Sequence, residues 1–295
     1  MTPPTRREAV RLAGDVGGLS ERHACRLVGT ARSTVRYRSR RDDPAPLVAR
    51  MRELAAEKPR AGYRTLWRWL RREGWRVNRK RIHRLYRLDG LVVRRRRRKR
   101  VAVPRRPLLV PTRRNERWSM DFMRDTLASG RTFRTFNVVD DATRECLALE
   151  TDHSLPGARI VRVLDALVAR RGCPHTIVCD NGPEFSGQAL DAWAYQRGIA
   201  LHFIAPGKPT QNAFVESFNG RFREECLDQH WFGNLAEARV IIERWRMEYN
   251  TERPHSSLHN RTPEEFGTML DAISAAQPRT AQDQELLIGR PEVAS

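Results

Sequence analysis

The sequence lacks an apolar run as long as a membrane span, which takes about 20 residues. Its opening residues, 1–6, also lack the apolar stretch of a signal peptide. Only 5 of the 295 residues are cysteines, and no two of them form a C-x-x-C pair. These absences argue against a membrane protein, a disulfide-rich secreted protein and a zinc ribbon. We expect a cytoplasmic protein with reduced thiols, no zinc site and no membrane partner.

Acidic residues are scarce in the first part of the chain. Residues 1–115 contain 35 Lys+Arg and 9 Asp+Glu, a balance of +26, whereas residues 116–295 have a balance of −6. A strongly basic segment favours a polyanionic partner such as DNA. A solvated basic tail of the ribosomal or chromatin kind has the same composition. The hydrophobic fraction of 40% is sufficient for a packed core.

Residues 1–43 are predicted to form a helix-turn-helix-like segment. Ser20 is a suitable N-cap, Gly29-Thr30 interrupts the helical pattern, and Ser33 is a second N-cap. Two helices joined by a short turn, the second with a basic face, follow the order of DNA-reading motifs. A small helical bundle with a basic surface would show the same pattern.

Residues 44–93 predict a second helix-turn-helix-like unit. A break at 59–63 separates its helices, and Asn78 caps the last one, which buries Ile82 and Leu85. The outward positions of both units are basic. We expect four of these residues to contact DNA: Arg36, Arg38, Arg79 and Arg84.

Residues 94–115 are predicted to form a basic linker, extended because its charges repel each other. Beside two DNA-binding units, we expect it to follow the DNA backbone, which adds affinity but little sequence information. A solvated run is the alternative. The basic residues concerned are consecutive: Arg94, Arg95, Arg96, Arg97, Arg98, Lys99 and Arg100.

From residue 116 onward, short β-branched and aromatic runs alternate with helical patterns. Antiparallel strands followed by alternating helix and strand predict an α/β domain with a mixed sheet over residues 116–270. An irregular arm to residue 266 and a polar, flexible tail at 271–295 are expected to follow. Strands are predicted at 118–125, 132–139, 146–150, 176–180 and 201–203, and helices at 155–171, 189–197, around 216 and at 235–249.

Three acidic residues of this region are candidates for one site. Asp180 ends a predicted strand, Asp121 lies in another, and Glu216 lies on a helix, with 35 residues between Asp180 and Glu216. Carboxylates at strand ends point into the crevice where open α/β sheets bind ligands. Converging carboxylates repel each other unless a hard cation such as Mg²⁺ or Mn²⁺ neutralises them, and two such ions suit phosphoryl transfer. Two unrelated surface acids would show the same spacing.

Several motifs in a fixed order resemble the second-frame (OrfB) transposases of the third insertion-sequence family, within the D-D-E transposase and integrase superfamily. Asp121, Asp180 and Glu216 resemble the catalytic triad of that superfamily. The other matching stretches are Asp-Asn-Gly-Pro-Glu-Phe at 180–185, Pro-Gly-Lys-Pro-Thr-Gln-Asn at 206–212, Glu-Ser-Phe-Asn at 216–219, Tyr-Asn at 249–250 and Arg-Pro-His-Ser-Ser-Leu at 253–258.

The resemblance implies a ribonuclease-H-like catalytic domain with a mixed five-stranded sheet, preceded by small all-α helix-turn-helix units. It implies a bacterial protein, associated with the nucleoid when bound to DNA, that cleaves and transfers DNA strands at element ends. The triad would bind two Mg²⁺ ions, with Mn²⁺ as a substitute. Arg223 matches a basic position that we assign to DNA phosphate, and Asn212 and Asn219 would support the triad.

The same resemblance implies partners: the ends of the element, target DNA, a shorter upstream-frame protein (OrfA), and further copies of this chain on DNA. Asp140 and Asp141 also end a strand but match no triad position, so we expect a structural role. His255 would either contact phosphate or be a structural histidine.

Two other functions are compatible with parts of the sequence. A retroviral-type integrase shares the triad but usually begins with a His-His-Cys-Cys zinc module, a pattern that His23, Cys25 and His83 do not form. A DNA-binding regulator with a vestigial catalytic fold is the second alternative. The presence of all three carboxylates argues against such decay.

Overall fold

A computed structural model describes residues 2–37, 43–93, 110–182, 184–185, 187–204 and 212–276. The chain forms two compact units, residues 1–50 and 51–295. The sequence predicted divisions at 43/44, at the linker 94–115 and at 270/271, and these stay predictions. In the described ranges, no helix is both long and apolar enough to span a bilayer.

The described ranges contain helices and strands in the order all-α, then α/β. The helices are α1 (Pro3–Asp15), α2 (Glu21–Val28), α3 (Arg32–Arg36), α4 (Ala45–Glu57), α5 (Tyr63–Arg72), α6 (Arg79–Leu88), α7 (Gly157–Arg171), α8 (Gln188–Arg197), α9 (Ala213–Glu225), α10 (Leu235–Thr251) and α11 (Pro263–Ala276). The strands are β1 (Arg117–Thr126), β2 (Thr132–Asp140), β3 (Cys146–Asp152), β4 (Thr176–Cys179) and β5 (Ala200–Phe203).

The first unit packs α1, α2 and α3 around Val10, Ala24 and Cys25. Ser20 caps α2 as predicted, because its side chain accepts a hydrogen bond from the backbone N–H of His23. The helix ends at Gly29, whose φ of +63° suits a residue without Cβ.

The prediction that Ser33 caps the next helix is wrong. Helix α3 begins at Arg32, and the backbone carbonyl of Ala31 accepts its first hydrogen bonds. Arg32 and Arg36 lie one turn apart and both donate to Glu21, at 3.1 and 2.9 Å. Arg32 and Arg36 thus share the Glu21 carboxylate as acceptor. Ser33 is the second residue of α3 and does not cap the helix.

The second unit is organised by a five-stranded mixed sheet, as predicted, and its strand order is β3-β2-β1-β4-β5. Strands β1, β2 and β3 are antiparallel, whereas β4 pairs parallel with both β1 and β5. In the β1–β4 register, the carboxyl end of β4 at Cys179 lies beside the middle of β1, which continues to Thr126.

Alternation along the strands gives the sheet two apolar faces. Trp118, Met120 and Phe136 pack with α7 and α8, in a core that contains Leu164 and Trp193. The opposite face packs with α9 and α10 through these residues: Phe133, Val139, Val215, Phe218, Phe222, Ile242 and Trp245. Residues of odd number in β1 and β2, including Asp121 and Asn137, therefore face α9.

Helices α5 and α6 belong to the second unit and contact its C-terminal part. Asn78 caps α6 as predicted and accepts a hydrogen bond from the Lys80 N–H at 2.9 Å. Arg72 forms a two-pronged ion pair with Glu265 at the start of α11, at 2.7 and 2.8 Å. Since bidentate Arg–carboxylate pairs fix orientation, this contact ties α5 to the start of α11.

Helix α10 covers the exposed edge of β3. The Asn250 amide accepts from the Cys146 N–H at 2.9 Å and donates to the Cys146 carbonyl at 2.8 Å. Arg246 donates to the same carbonyl at 3.0 Å, and Arg239 donates to the Thr151 carbonyl at 2.8 Å. An uncovered edge strand invites pairing with another chain, and these side chains occupy it.

The C-terminal region is more helical than the sequence indicated. The expected irregular arm ends at residue 262, because α11 begins at Pro263. The helix continues to Ala276, six residues into the predicted flexible tail. Proline is favoured in the first helical turn, and Glu264 and Glu265 complement the positive end of the helix dipole.

We predict that Asn250→Ala lowers the free energy of unfolding by about 2–3 kcal/mol, because the buried N–H of Cys146 loses its acceptor. Urea denaturation followed by circular dichroism measures the loss. Val240→Ala is the matched control on the same helix, since Val240 is 59% exposed, and it should change stability by less than about 0.5 kcal/mol. Equal losses in the two variants would contradict this role of Asn250.

Candidate active site

Two of the predicted carboxylates lie at the same level of neighbouring parallel strands. Ser119 of β1 pairs with Val178 of β4, so Asp121 and Asp180 each lie two residues further along. Asp121 is partly buried within β1, while Asp180 follows the end of β4. This register explains why two residues that are 59 positions apart in the sequence share one edge of the sheet.

The third carboxylate is on α9, which packs across β1 and β2. Val215, Phe218 and Phe222 form the buried side of α9, and Glu216 is exposed. Phe214, Phe218 and Phe222 recur every fourth residue, which predicts that Phe214 also lies on the buried side, and this prediction is wrong. The Phe214 ring lies against the guanidinium groups of Arg117 and Arg144, at 5.2 and 3.8 Å from its centroid.

The three carboxylates are close enough to affect one another. Burial, with a smaller contribution from the negative charges of Asp180 and Glu216, raises the pKa of Asp121 to about 6. Hydrogen bonds from the Phe122 N–H and the Asn219 amide oppose this shift. Burial also raises the pKa of Glu216.

The donor set fits a hard divalent cation. All three side chains offer carboxylate oxygens, the ligands preferred by Mg²⁺ and Mn²⁺. Among the described residues, no arginine or lysine is a cause of the Asp121 pKa shift. The same residues contain no three acidic, histidine or cysteine side chains already arranged around one ion position.

A chain of asparagines holds Asp121 from behind. The Asn219 amide donates to Asp121 Oδ2 at 2.7 Å, and the Asn137 amide donates to Asn219 Oδ1 at 2.7 Å. Asn212 donates to the carbonyl of Met120 at 3.1 Å. Asn212 and Asn219, the predicted supporting residues, thus contact β1 at and next to Asp121.

Sequence reasoning missed Asn137. It is the direct cross-strand partner of Asp121 and is fully buried. A signal was present, because Asn137 interrupts an apolar strand between Phe136 and Val138, and a buried amide requires hydrogen-bond partners.

The motif after β4 forms a turn around Asp180. The Asp180 carboxylate accepts from the Gly182 N–H at 3.0 Å, and Phe185 is fully buried against Phe122, with ring centroids 4.8 Å apart. A Cβ on Gly182 would lie only 3.0 Å from Asp180 Oδ1. Glycine is therefore required here by the close approach of the carboxylate. Pro183, between them, lies outside the described residues.

The predicted DNA-contacting arginines fall into three groups. Arg223 donates to Asp125 Oδ2 at 2.9 Å and to the Arg124 carbonyl at 2.6 Å, which fastens α9 to β1. Arg36 pairs with Glu21. Arg79 and Arg84 are exposed on α6. The remaining ones lie outside the described residues: Arg38, Arg94, Arg95, Arg96, Arg97, Arg98, Lys99 and Arg100.

Asp140 and Asp141 bind parts of the protein itself. Asp140 accepts from three backbone N–H groups at 2.9–3.0 Å, and Asp141 accepts from Ser119 Oγ and Arg117 Nε at 2.6 Å. Both are fully buried, as expected of structural residues. His255 is buried as well, with its ring edge-on to Tyr249 at 4.7 Å.

Comparisons with known sequences match the helical part and the α/β part of the chain separately. Residues 111–209 and 197–263 match two profiles described as "Integrase core domain", and residues 41–99 match an "HTH-like domain". The chain is similar to the insertion element IS407 uncharacterized 31.7 kDa protein of Burkholderia multivorans, 49% identical over 88% of this chain and 94% of that protein.

More distant similarities reach named enzymes and a solved structure. The transposase InsD for insertion element IS2 of Escherichia coli is 25% identical over 78% of this chain and 80% of its own length. A chain of the simian T-cell lymphotropic virus intasome structure is 15% identical, covers 74% of each chain and has a TM-score of 0.50. This likeness confirms the ribonuclease-H-like integrase-core fold.

We predict that His255 makes the protein sensitive to acid. Burial and the positive charges of Arg253 and Arg221 lower the pKa of folded His255 well below its usual 6.5. The unfolded state therefore binds the proton more readily, and stability present above pH 6.5 is lost as the pH falls below it. His255→Phe keeps a ring beside Tyr249 and should flatten the fall of unfolding free energy between about pH 6.5 and 5.

Urea denaturation at several pH values measures this difference. The exposed His202→Gln is the matched control and should follow the wild-type pH dependence. Parallel curves for the wild type and His255→Phe would show that His255 is not the responsible group.

Proposed function

We propose that this chain, which belongs to the family of insertion-element transposases with an integrase core, cleaves DNA at the ends of its element and joins those ends to target DNA. The observation that carries this proposal is that Asp180 and Glu216 lie close enough to Asp121 for their negative charges to raise its pKa. Membership of the family rests on the 49% identity over most of both chains.

Asp121, Asp180 and Glu216 would hold Mg²⁺, with Mn²⁺ as a substitute, and the three carboxylates offer ligands for two ions. A bound cation would supply Lewis-acid stabilisation of the phosphoryl oxygens and activate the attacking hydroxyl. The protein's own part is to fix the carboxylates through the β1–β4 register and through the asparagines behind Asp121. No side-chain nucleophile is needed for such an in-line displacement.

DNA is the proposed partner, bound through the HTH-like residues 41–99 as well as the catalytic part. Their basic residues would contact phosphate, and Arg223 would do so beside the catalytic carboxylates. We also propose the remaining partners implied by the family: an upstream-frame protein and further copies of this chain assembled on DNA. Gel filtration with and without terminal DNA tests the assembly.

The domain division that we propose keeps residues 1–43 and 44–93 as two DNA-binding units, 94–115 as a linker, 116–270 as the catalytic domain and 271–295 as a tail. The ion pair of Arg72 with Glu265 links residues 44–93 to the proposed catalytic domain.

A DNA-binding regulator without catalysis is the rival function. The enzyme is favoured because Asn219 donates a hydrogen bond that orients the Asp121 carboxylate.

We predict that Glu216→Gln lowers strand cleavage and joining by several orders of magnitude, because the substitution keeps the shape of the side chain but removes a negatively charged ligand. Asp121→Asn and Asp180→Asn should behave alike, whereas DNA affinity should change little. Labelled terminal DNA of the element, incubated with full-length protein and Mg²⁺ or Mn²⁺, provides the assay. Ca²⁺ should support the reaction poorly because of its larger and looser coordination shell.

Asp141→Asn is the control for this experiment, since Asp141 is a buried acid that binds Ser119 and Arg117 rather than facing the triad. It should lower stability but not abolish the reaction. Wild-type turnover by Glu216→Gln would remove Glu216 from the site and leave the regulator as the better function.

We predict that Asn137→Leu lowers the rate about 10- to 100-fold and raises the Mg²⁺ concentration needed for half-maximal rate, because Asn219 loses the donor that orients it toward Asp121. Thr135→Val is the matched control, two residues earlier on the same face of β2. Its hydroxyl is buried without a hydrogen-bond partner, so the reaction should be unaffected. An unchanged Mg²⁺ requirement in Asn137→Leu would contradict the positioning role.

A further inference from the structure

Five arginines from four segments of the second unit lie near one another where α5 and α6 meet α9. They are Arg64 and Arg68 on α5, Arg79 at the start of α6, Arg221 on α9 and Arg253 after α10, and together they are called the arginine cluster. The charges of four of them act on the fifth, Arg68, and Arg221 lies one turn before Glu225, which pairs with Arg253. The Arg68 side chain is anchored by a hydrogen bond from its Nε to Asn260 Oδ1 at 2.8 Å. This contact joins α5 to the segment before α11.

The charges that shift the pKa of Arg68 are those of other arginines. Burial lowers the pKa of Arg68, and the positive charges of Arg253, Arg221, Arg64 and Arg79 lower it further. No carboxylate is among these causes, and the hydrogen-bond partner Asn260 is neutral. Folding therefore brings like charges together around Arg68.

Carboxylates compensate only part of the arginine cluster. Arg253 forms a two-pronged ion pair with Glu225, at 2.6 and 2.7 Å. Arg221 has no hydrogen bond or ion pair with any described residue, and burial and Arg253 lower its pKa more than Glu225 and Glu224 raise it. The buried His255 beside Arg253 and Arg221 has its pKa lowered by the same field.

Such an arrangement is unfavourable in the free protein and complementary to a polyanion. Guanidinium groups bind phosphate through pairs of parallel hydrogen bonds. Duplex DNA presents one negative charge about every 1.7 Å along its axis, so several arginines can each meet a phosphate. An isolated small anion would satisfy only part of a cluster drawn from four chain segments.

We propose that the arginine cluster binds the DNA backbone and holds the HTH-like helices and α9 on one DNA molecule. The inference rests on the proposed function, because it assumes that the chain acts on DNA. Arg221 follows Glu216 by five residues on α9, which places the two side chains on different sides of the helix. The phosphates bound by the cluster are therefore distinct from those at the catalytic carboxylates.

The test measures binding of the full-length chain to a fluorescently labelled duplex as a function of salt. The double variant Arg68→Gln/Arg221→Gln should reduce the slope of log affinity against log salt by about 1 for each lost phosphate contact. Affinity near 0.1 M salt should fall about tenfold or more. Arg221→Lys keeps the charge and should retain most of the wild-type slope.

Arg170→Gln is the matched control, since it removes one exposed arginine from α7, away from the cluster. Thermal unfolding without DNA provides a second measurement, because removing like charges from the cluster should leave the double variant at least as stable as the wild type. Unchanged affinity and salt slope in the double variant, with intact cleavage by the wild type, would overturn the cluster as a DNA site. Cluster-dependent binding without any cleavage by the wild type would support the site and refute the proposed enzyme.

Discussion

The parallel pairing of β1 with β4 is the constraint on which the candidate site depends. Its register sets Ser119 opposite Val178, and this alignment brings Asp121 and Asp180 to the same edge of the sheet. A shift by one residue would turn Asp121 to the opposite face, among the apolar residues that pack on α7 and α8. Cores on both faces of the sheet oppose such a shift, so packing far from the site fixes its geometry.

Repulsion among the carboxylates has to be balanced by the surrounding structure. The apolar side of α9 binds it across the sheet, while Asn219 on the same helix donates to Asp121. Asn137 then orients Asn219 from the neighbouring strand. The helix that carries Glu216 is therefore positioned by both apolar packing and a buried amide chain, and the second of these reaches Asp121 directly.

The candidate carboxylates and the arginine cluster lie on different parts of the second unit. Asp121 lies in the middle of β1 and Asp180 follows the end of β4, whereas the arginine cluster lies at the contact of α5 and α6 with α9 and the segment after α10. Carboxylates are the ligands that hard cations prefer, and guanidinium groups pair with phosphate. Helix α9 contributes Glu216 to the first group and Arg221 to the second.

The sequence by itself determined the order of helices and strands, the caps at Ser20 and Asn78, and the three candidate carboxylates, because these follow from local periodicity, local hydrogen bonding and motif order. Tertiary structure decided what depends on register and packing between distant segments. It placed Asn137 opposite Asp121, chose Val215 over Phe214 for the core, and extended the last helix to Ala276. It also brought the arginine cluster together, because no local sequence pattern predicts that α5, α6, α9 and the segment after α10 meet.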